Sequence, residues 1–317
     1  MVLIGDYKME FNENYYTKNF CSFEEWLELI EKSERVYPQF RIPYSKWLDK
    51  YILDIHNRSM DDVKNLLRHL LVPINRKLDE DDYEHYLMLK NSDIDVHKNF
   101  SQSLVCHEKF YRIENGYYAW EGITWILELL PDSPQQAINA LEGYVLAQDG
   151  IPDDRIYGIE QCIEIIYAKF IYSNKTGKSI LNLKPIEFEW IIEELYRKLG
   201  YDTVWTPATR DGGKDIIASI KREDGVEHVY VECKLYKTTK LTNIYVNNFV
   251  NIINNDKINR GVIYCTGYVN KKLHQIDKRI TILPLDNICT LLNAHLGSDW
   301  EDRLDNIIDY KRRQFSK

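Results

Sequence analysis

Two apolar runs joined by a three-residue turn limit this chain more than any other feature. Residues 215–221 (DIIASIK) and 227–236 (EHVYVECKLY) are rich in β-branched and aromatic residues, and Glu223-Asp224-Gly225 supplies a hairpin turn between them. Downstream, 261–266 (GVIYCT) is a short apolar run without polar alternation. That is the pattern of a strand buried on both faces, and such a strand needs a sheet covered by helices. The flanks supply them. Pro185 opens a helix with Phe188, Ile191, Ile192, Leu195 and Leu199 on its buried side, and Gly200 stops it. A short strand over 201–206, a Gly-rich loop over 209–214 (TRDGGK), a helix over 243–253 and a second helix over 269–277 follow. A strand over 279–285 and a helix around 288–292 close the pattern.

Residues 1–180 follow a different grammar and predict a mostly helical region. Ser22-Phe23-Glu24-Glu25 is a capping-box pattern ahead of Trp26, Leu27 and Ile30. Ser59 precedes Met60, Val63, Leu66, Leu67 and Leu70 at helical spacing. Ser133-Pro134 starts a helix through Ala137, Leu141 and Tyr144. Gly150-Ile151-Pro152-Asp153 breaks the chain before a long helix over 159–172. Asn115-Gly116 between aromatic runs predicts one small hairpin over 110–122, and the Tyr- and Trp-rich stretch 111–125 reads as core. The polar stretch 173–179 predicts a boundary between domains at 1–176 and 177–317, the second ending in a helical tail. Gly177-Lys178-Ser179 resembles the end of a phosphate-binding loop, but Tyr172 stands where its first glycine belongs and no strand precedes it.

Several classes are excluded. No apolar run is long enough for a membrane-spanning helix, and the N-terminus MVLIGDYKMEFNENYY lacks the basic and apolar regions of a signal peptide. Six scattered cysteines without a CxxC pair argue against a zinc knuckle or a disulfide framework, so a reducing cytoplasm is expected. The net charge of −8 opposes a polyanionic partner, yet it is unevenly spread. Residues 183–293 hold 16 Lys and Arg against 14 Asp and Glu, which leaves 25 against 35 elsewhere.

The hairpin also carries charge where strands rarely do. Glu232 and Lys234 are two apart, so the pleat turns both to one face. Asp215 opens the partner strand, and the turn near the midpoint between Asp215 and Glu232 places the two carboxylates side by side. Adjacent carboxylates repel, and a hard divalent cation such as Mg²⁺ resolves the conflict with one or two carboxylates and water. The Cys233 carbonyl is a candidate further ligand, and Lys234 is placed to orient a water or meet negative charge on a phosphate.

Asp…Glu-x-Lys on a hairpin resembles the PD-(D/E)XK nuclease superfamily. The longer pattern resembles the Mrr-type restriction endonuclease catalytic domain over about 185–293. It runs through Phe188-Glu189, Leu199-Gly200-Tyr201, Thr206 to Asp215, Val231-Glu232-Cys233-Lys234-Leu235-Tyr236 and Gly261-Val262…Thr266-Gly267. The resemblance implies an α/β restriction-endonuclease-like domain, a mixed central sheet flanked by helices, after a mostly α-helical domain. It implies a Mg²⁺- or Mn²⁺-dependent endodeoxyribonuclease in restriction or antiviral defence. Its catalytic residues would be Asp215, Glu232, Lys234 and Glu189, with the ion held by Asp215, Glu232 and Cys233. Many such domains carry Gln at the position of Glu232, so this chain departs toward the metal-binding form. DNA contacts are expected from Lys214, Tyr236, Lys237 and Lys240. Further expectations are a homo-oligomer and a protein partner or ligand at residues 1–176. A structure-selective repair or junction nuclease and a non-catalytic DNA-binding or sensor protein stay open as alternatives.

Overall fold

The computed structural model describes residues 22–32, 36–104, 107–148, 151–172, 177–206 and 212–315. They gather into two compact units. One comprises Met1–Leu129 with Ala137–Lys169, the other Leu130–Gln136 with Phe170–Lys317. The N-terminal stretch, Gly150, most of the 173–179 stretch and the Thr209–Asp211 part of the Gly-rich loop lie outside the described residues.

Helices lead the element order: α1 (Phe23–Glu31), α2 (Ser45–Leu53), α3 (Met60–Leu70), α4 (Lys77–Lys90), α5 (Asp95–Gln102), α6 (His107–Glu114), α7 (Pro134–Ala147) and α8 (Asp153–Ile166). Their starts follow from local chemistry. The Ser22 side chain accepts the Glu25 N–H at 3.1 Å, and α1 buries Phe23, Trp26 and Ile30. Ser59 and Asp62 cap α3 reciprocally, which leaves Val63, Leu66, Leu67 and Leu70 to fill the first unit's core.

The hairpin expected over 110–122 is not formed. Its Asn-Gly pair ends α6 instead. Gly116 is left-handed (φ +77°), the Tyr117 N–H reaches the Arg112 carbonyl at 2.9 Å, and the Gly116 N–H reaches Ile113 at 3.0 Å. That is a Schellman helix stop, which demands the same positive φ as a hairpin turn. The aromatic stretch is also not uniformly core. Trp120 and Ile123 are buried, whereas Tyr111, Tyr117, Tyr118 and Trp125 are exposed.

The second unit is built on a five-stranded sheet in the order β1 (Asp202–Trp205), β2 (Ile216–Arg222), β3 (Gly225–Lys234), β4 (Arg260–Cys265), β5 (Ile280–Pro284). The first three strands pair antiparallel, and β3–β4 and β4–β5 pair parallel. Ahead of the sheet lie α9 (Lys178–Leu181) and α10 (Pro185–Lys198). The crossover helix α11 (Asn243–Asn255) joins β3 to β4, and α12 (Leu285–Leu296) and α13 (Leu304–Phe315) close the chain. The helix expected over 269–277 is a short 3₁₀ turn, Lys271–Gln275.

Pleat alternation divides the sheet into two packed faces. Ile216, Ala218, Val229, Val231 and Cys233 join Phe188, Ile191, Ile192 and Leu195 of α10, with Ile288 and Leu292 of α12 and Leu304 and Ile308 of α13. Tyr230, Ile263 and Ile282 face Val246, Phe249 and Ile253 of α11. Each fully buried Ile, Leu or Phe contributes about 1.5–3 kcal/mol. These layers therefore hold the strand ends that carry the charged residues. Among the described residues no helix is long and apolar enough to cross a membrane.

Candidate active site

The β2–β3 register ends with Ile216 paired to Val231, which leaves Asp215 just before β2 and near Glu232, whose charge acts on it. The Asp215 N–H bonds the Val231 carbonyl at 2.9 Å, where the regular ladder ends. Asp215 lies just before β2, and its charge is felt by Glu232, Glu189 and Lys234. Glu232 and Lys234 share the α11 face with Tyr230. Both carboxylates are buried, Asp215 at 7% exposure and Glu232 at 4%.

Each group is fixed by identifiable partners. Asp215 Oδ2 accepts the Cys233 N–H at 2.6 Å. The Asp215 carbonyl accepts the Thr206 N–H at 2.9 Å, and Thr206 Oγ1 donates to the Lys214 carbonyl at 2.5 Å. Beside it the chain turns through left-handed Gly213, where a Cβ would stand 2.3 Å from Ile252 Cδ1 of α11. Lys234 Nζ lies 2.5 Å from Glu232 Oε1, and the Tyr245 hydroxyl donates to the same oxygen. The Lys234 ammonium also sits 4.7 Å from the centre of the Tyr245 ring. Glu232 Oε2 is buried without a hydrogen-bond partner among the described residues.

The electrostatics follow from this crowding. Burial, then the Glu232 charge, push Asp215 up to about 7, while the Cys233 N–H pulls the other way and Glu189 adds a smaller upward push. Burial pulls the Lys234 ammonium down, but Glu232 and Asp215 together outweigh it and the net direction is up. Lys234 is therefore a fixed cation near neutral pH.

The remaining sequence-predicted residues are placed differently. Glu189 comes from α10 on the opposite layer, and its carboxylate accepts Trp205 Nε1–H at 2.8 Å. The Cys233 thiol packs in the α10 face. Its N–H points to the β2 side, and a strand residue's C=O points to the same side as its N–H, so the carbonyl faces past the last β2–β3 pair toward Asp215. Lys214 reaches away from the pair: its Nζ is 2.6 Å from Asp256 and 4.2 Å from the Tyr230 ring centre. Tyr236 is half-buried, with its N–H on Thr266 Oγ1 at 2.8 Å. Lys237 and Lys240 are exposed. Sequence reasoning did not find Tyr245 or Thr206. Tyr245 lies 11 positions past Lys234 on a helix whose facing depends on how α11 docks, and no pattern in the strands encodes that.

Among the described residues no three His, Cys, Asp or Glu side chains are arranged to hold a metal ion. Two carboxylates and a main-chain oxygen nonetheless fit a hard cation. One buried carboxylate oxygen lacks a partner among the described residues, and its neighbour is held from ionising at the usual carboxylate pH. Asp215, Glu232 and the Cys233 carbonyl are the groups that would hold it.

Residues 180–292 match the family model Mrr_cat, described as a restriction endonuclease. The chain is 29% identical over 90 residues to uncharacterized protein y4cE of Sinorhizobium fredii (strain NBRC 101917 / NGR234). The aligned stretch covers 28% of this chain and spans 23% of that relative's length. Among solved structures, it resembles the MspJI restriction endonuclease in complex with a 27-mer oligonucleotide. The TM-score is 0.30 at 11% identity, over 53% of this chain and 45% of that one.

Proposed function

We propose that residues 177–317 form a divalent-metal-dependent endodeoxyribonuclease acting in restriction or antiviral defence, with residues 1–176 as its accessory domain. The observation that carries this reading is the buried pair Asp215 and Glu232, close enough for the Glu232 charge to act on Asp215, with Lys234 on Glu232. A structural ion cluster would satisfy its own charges, whereas this one keeps a buried carboxylate oxygen without a partner among the described residues.

The reaction is hydrolysis of a phosphodiester, in which water adds to phosphorus and the bridging oxygen leaves with a proton. Asp215, Glu232 and the Cys233 carbonyl would hold Mg²⁺ or Mn²⁺. When bound, the ion polarises the phosphate and acidifies the attacking water. Lys234 stays protonated, which suits it to stabilise charge growing on the phosphate oxygens rather than to act as a base. Glu189, through its charge on Asp215, tunes the ligand pair from the far layer. DNA is the partner, and exposed Lys237 and Lys240 are candidate phosphate contacts.

The test is plasmid cleavage by the full chain with Mg²⁺ or Mn²⁺, beside EDTA and beside Asp215→Asn. Nicking or linearisation that needs the metal and disappears in Asp215→Asn supports the reading. Undiminished cleavage in EDTA, or by the variant, overturns it. A folded wild type that binds DNA without cutting under any metal favours the non-catalytic alternative.

A further inference from the structure

Tyr245 sits in the first turn of α11, and its place is fixed by the helix cap and the core. Thr242 caps the helix by accepting the Tyr245 N–H at 3.3 Å, and Val246, Phe249 and Ile253 anchor the same helix in the core. From there the side chain does two things at once. Its hydroxyl donates to Glu232 Oε1, and its ring lies under the Lys234 ammonium at 4.7 Å. Oε1 thereby carries both donors, and Oε2 of the same carboxylate is left buried with none among the described residues.

We propose that Tyr245 is a positioning residue that presents Glu232 Oε2 to the divalent cation and seats Lys234 beside it. This deepens the nuclease reading and rests on it. The physical reason is competition for one carboxylate. Without the hydroxyl, the Lys234 ammonium is the remaining donor to Glu232 among the described residues, and the carboxylate is free to rotate so that both oxygens share it. The hydroxyl fixes the rotation by filling the second site on Oε1. The ring limits where the ammonium can go, because a cation is drawn to the π face. Groups that orient a metal ligand in this way typically change metal affinity by about 10–100-fold when removed.

The experiment uses the full chain, with Mn²⁺ as the probe. Tyr245→Phe keeps the ring and removes only the hydroxyl. Calorimetric titration should show Mn²⁺ affinity about 10–100-fold weaker. In a Glu232→Gln background the same substitution should have no further effect on affinity. Melting curves with and without Mn²⁺ give a second readout that survives a lower starting stability. The metal-induced rise in Tm should shrink in Tyr245→Phe at equal Mn²⁺. Wild-type affinity in Tyr245→Phe, or an equal loss in the Glu232→Gln background, overturns the inference while the nuclease reading stands. A wild type that neither binds Mn²⁺ nor cuts DNA overturns both.

Discussion

At the scale of single residues, the site trades folding stability for a place to bind a cation. Asp215 titrates higher in the folded protein than in the unfolded chain, so the folded state binds more protons between about pH 4 and 7. Stability therefore falls as pH rises through that window, by a total on the order of 4 kcal/mol at about 1.4 kcal/mol per unit. In EDTA, Asp215→Asn should melt above wild type at pH 8, and the difference should close near pH 4. Added Mg²⁺ should raise wild-type Tm more at pH 8 than at pH 5, because a proton competes with it for Asp215. A metal effect independent of pH would rule out this pair as the ligands. Lys234→Met separates catalysis from folding. With Mg²⁺ present the fold should persist and cleavage should drop by about 10²–10³, or ~3–4 kcal/mol of barrier. Loss of the fold in Mg²⁺ would make Lys234 a structural counter-charge. The meeting of Lys234 with Glu232 was legible in the sequence because a pleat of period two assigns faces, and the nearness of Asp215 because a tight turn sets hairpin register. Tyr245 was not, because a helix residue's neighbours across a layer depend on docking.

At the scale of elements, α13 does more than end the chain. It lies beyond the 180–292 family match, yet Lys311 on it is fully buried, with Nζ 2.6 Å from Glu194 and in contact with Glu193, both on α10. Phe315 lies 4.9 Å from the ring of Trp205, and Trp205 Nε1–H holds Glu189. Removing Lys311 strands two carboxylates against the core. Lys311→Met should cost about 3–5 kcal/mol in a urea melt. A loss under about 1 kcal/mol would show that the carboxylates find water. The order of strands and helices in this unit was readable because apolar runs and turn residues agree along it. The segment at 110–122 was not. Asn-Gly specifies a left-handed turn, and a helix stop and a hairpin both use one. Only the packing of α6 decides between them.

At the scale of the whole molecule, charge governs encounter. Residues 183–293 carry a small positive excess, and the rest of the chain is acidic. DNA affinity should therefore be modest and fall steeply with salt as counterions are released. Lysines that reach phosphates should each account for about one unit of the salt slope. Lys240, exposed and 5.5 Å from the Tyr268 ring centre, should lower the slope when changed to Ala. Lys214→Ala should leave it unchanged, since its ammonium is committed to Asp256 and Tyr230. Anisotropy titrations of a duplex in Ca²⁺ at about 50–200 mM salt would read both. Equal slopes for all three proteins would move the phosphate contacts elsewhere.

The β2–β3 hairpin has a further consequence, in time rather than in space. Asp215 and Glu232 meet across a short loop, whereas β3 reaches β4 only after the whole of α11. Short-range contacts close first because they confine the least chain. On a growing polypeptide the two carboxylates are thus brought together while still hydrated, before α12 and α13 have been synthesised to cover the opposite face. The dehydration that raises Asp215 follows only when helices pack over the hairpin, so assembly of the reactive centre and its electrostatic activation are expected to be separate folding events.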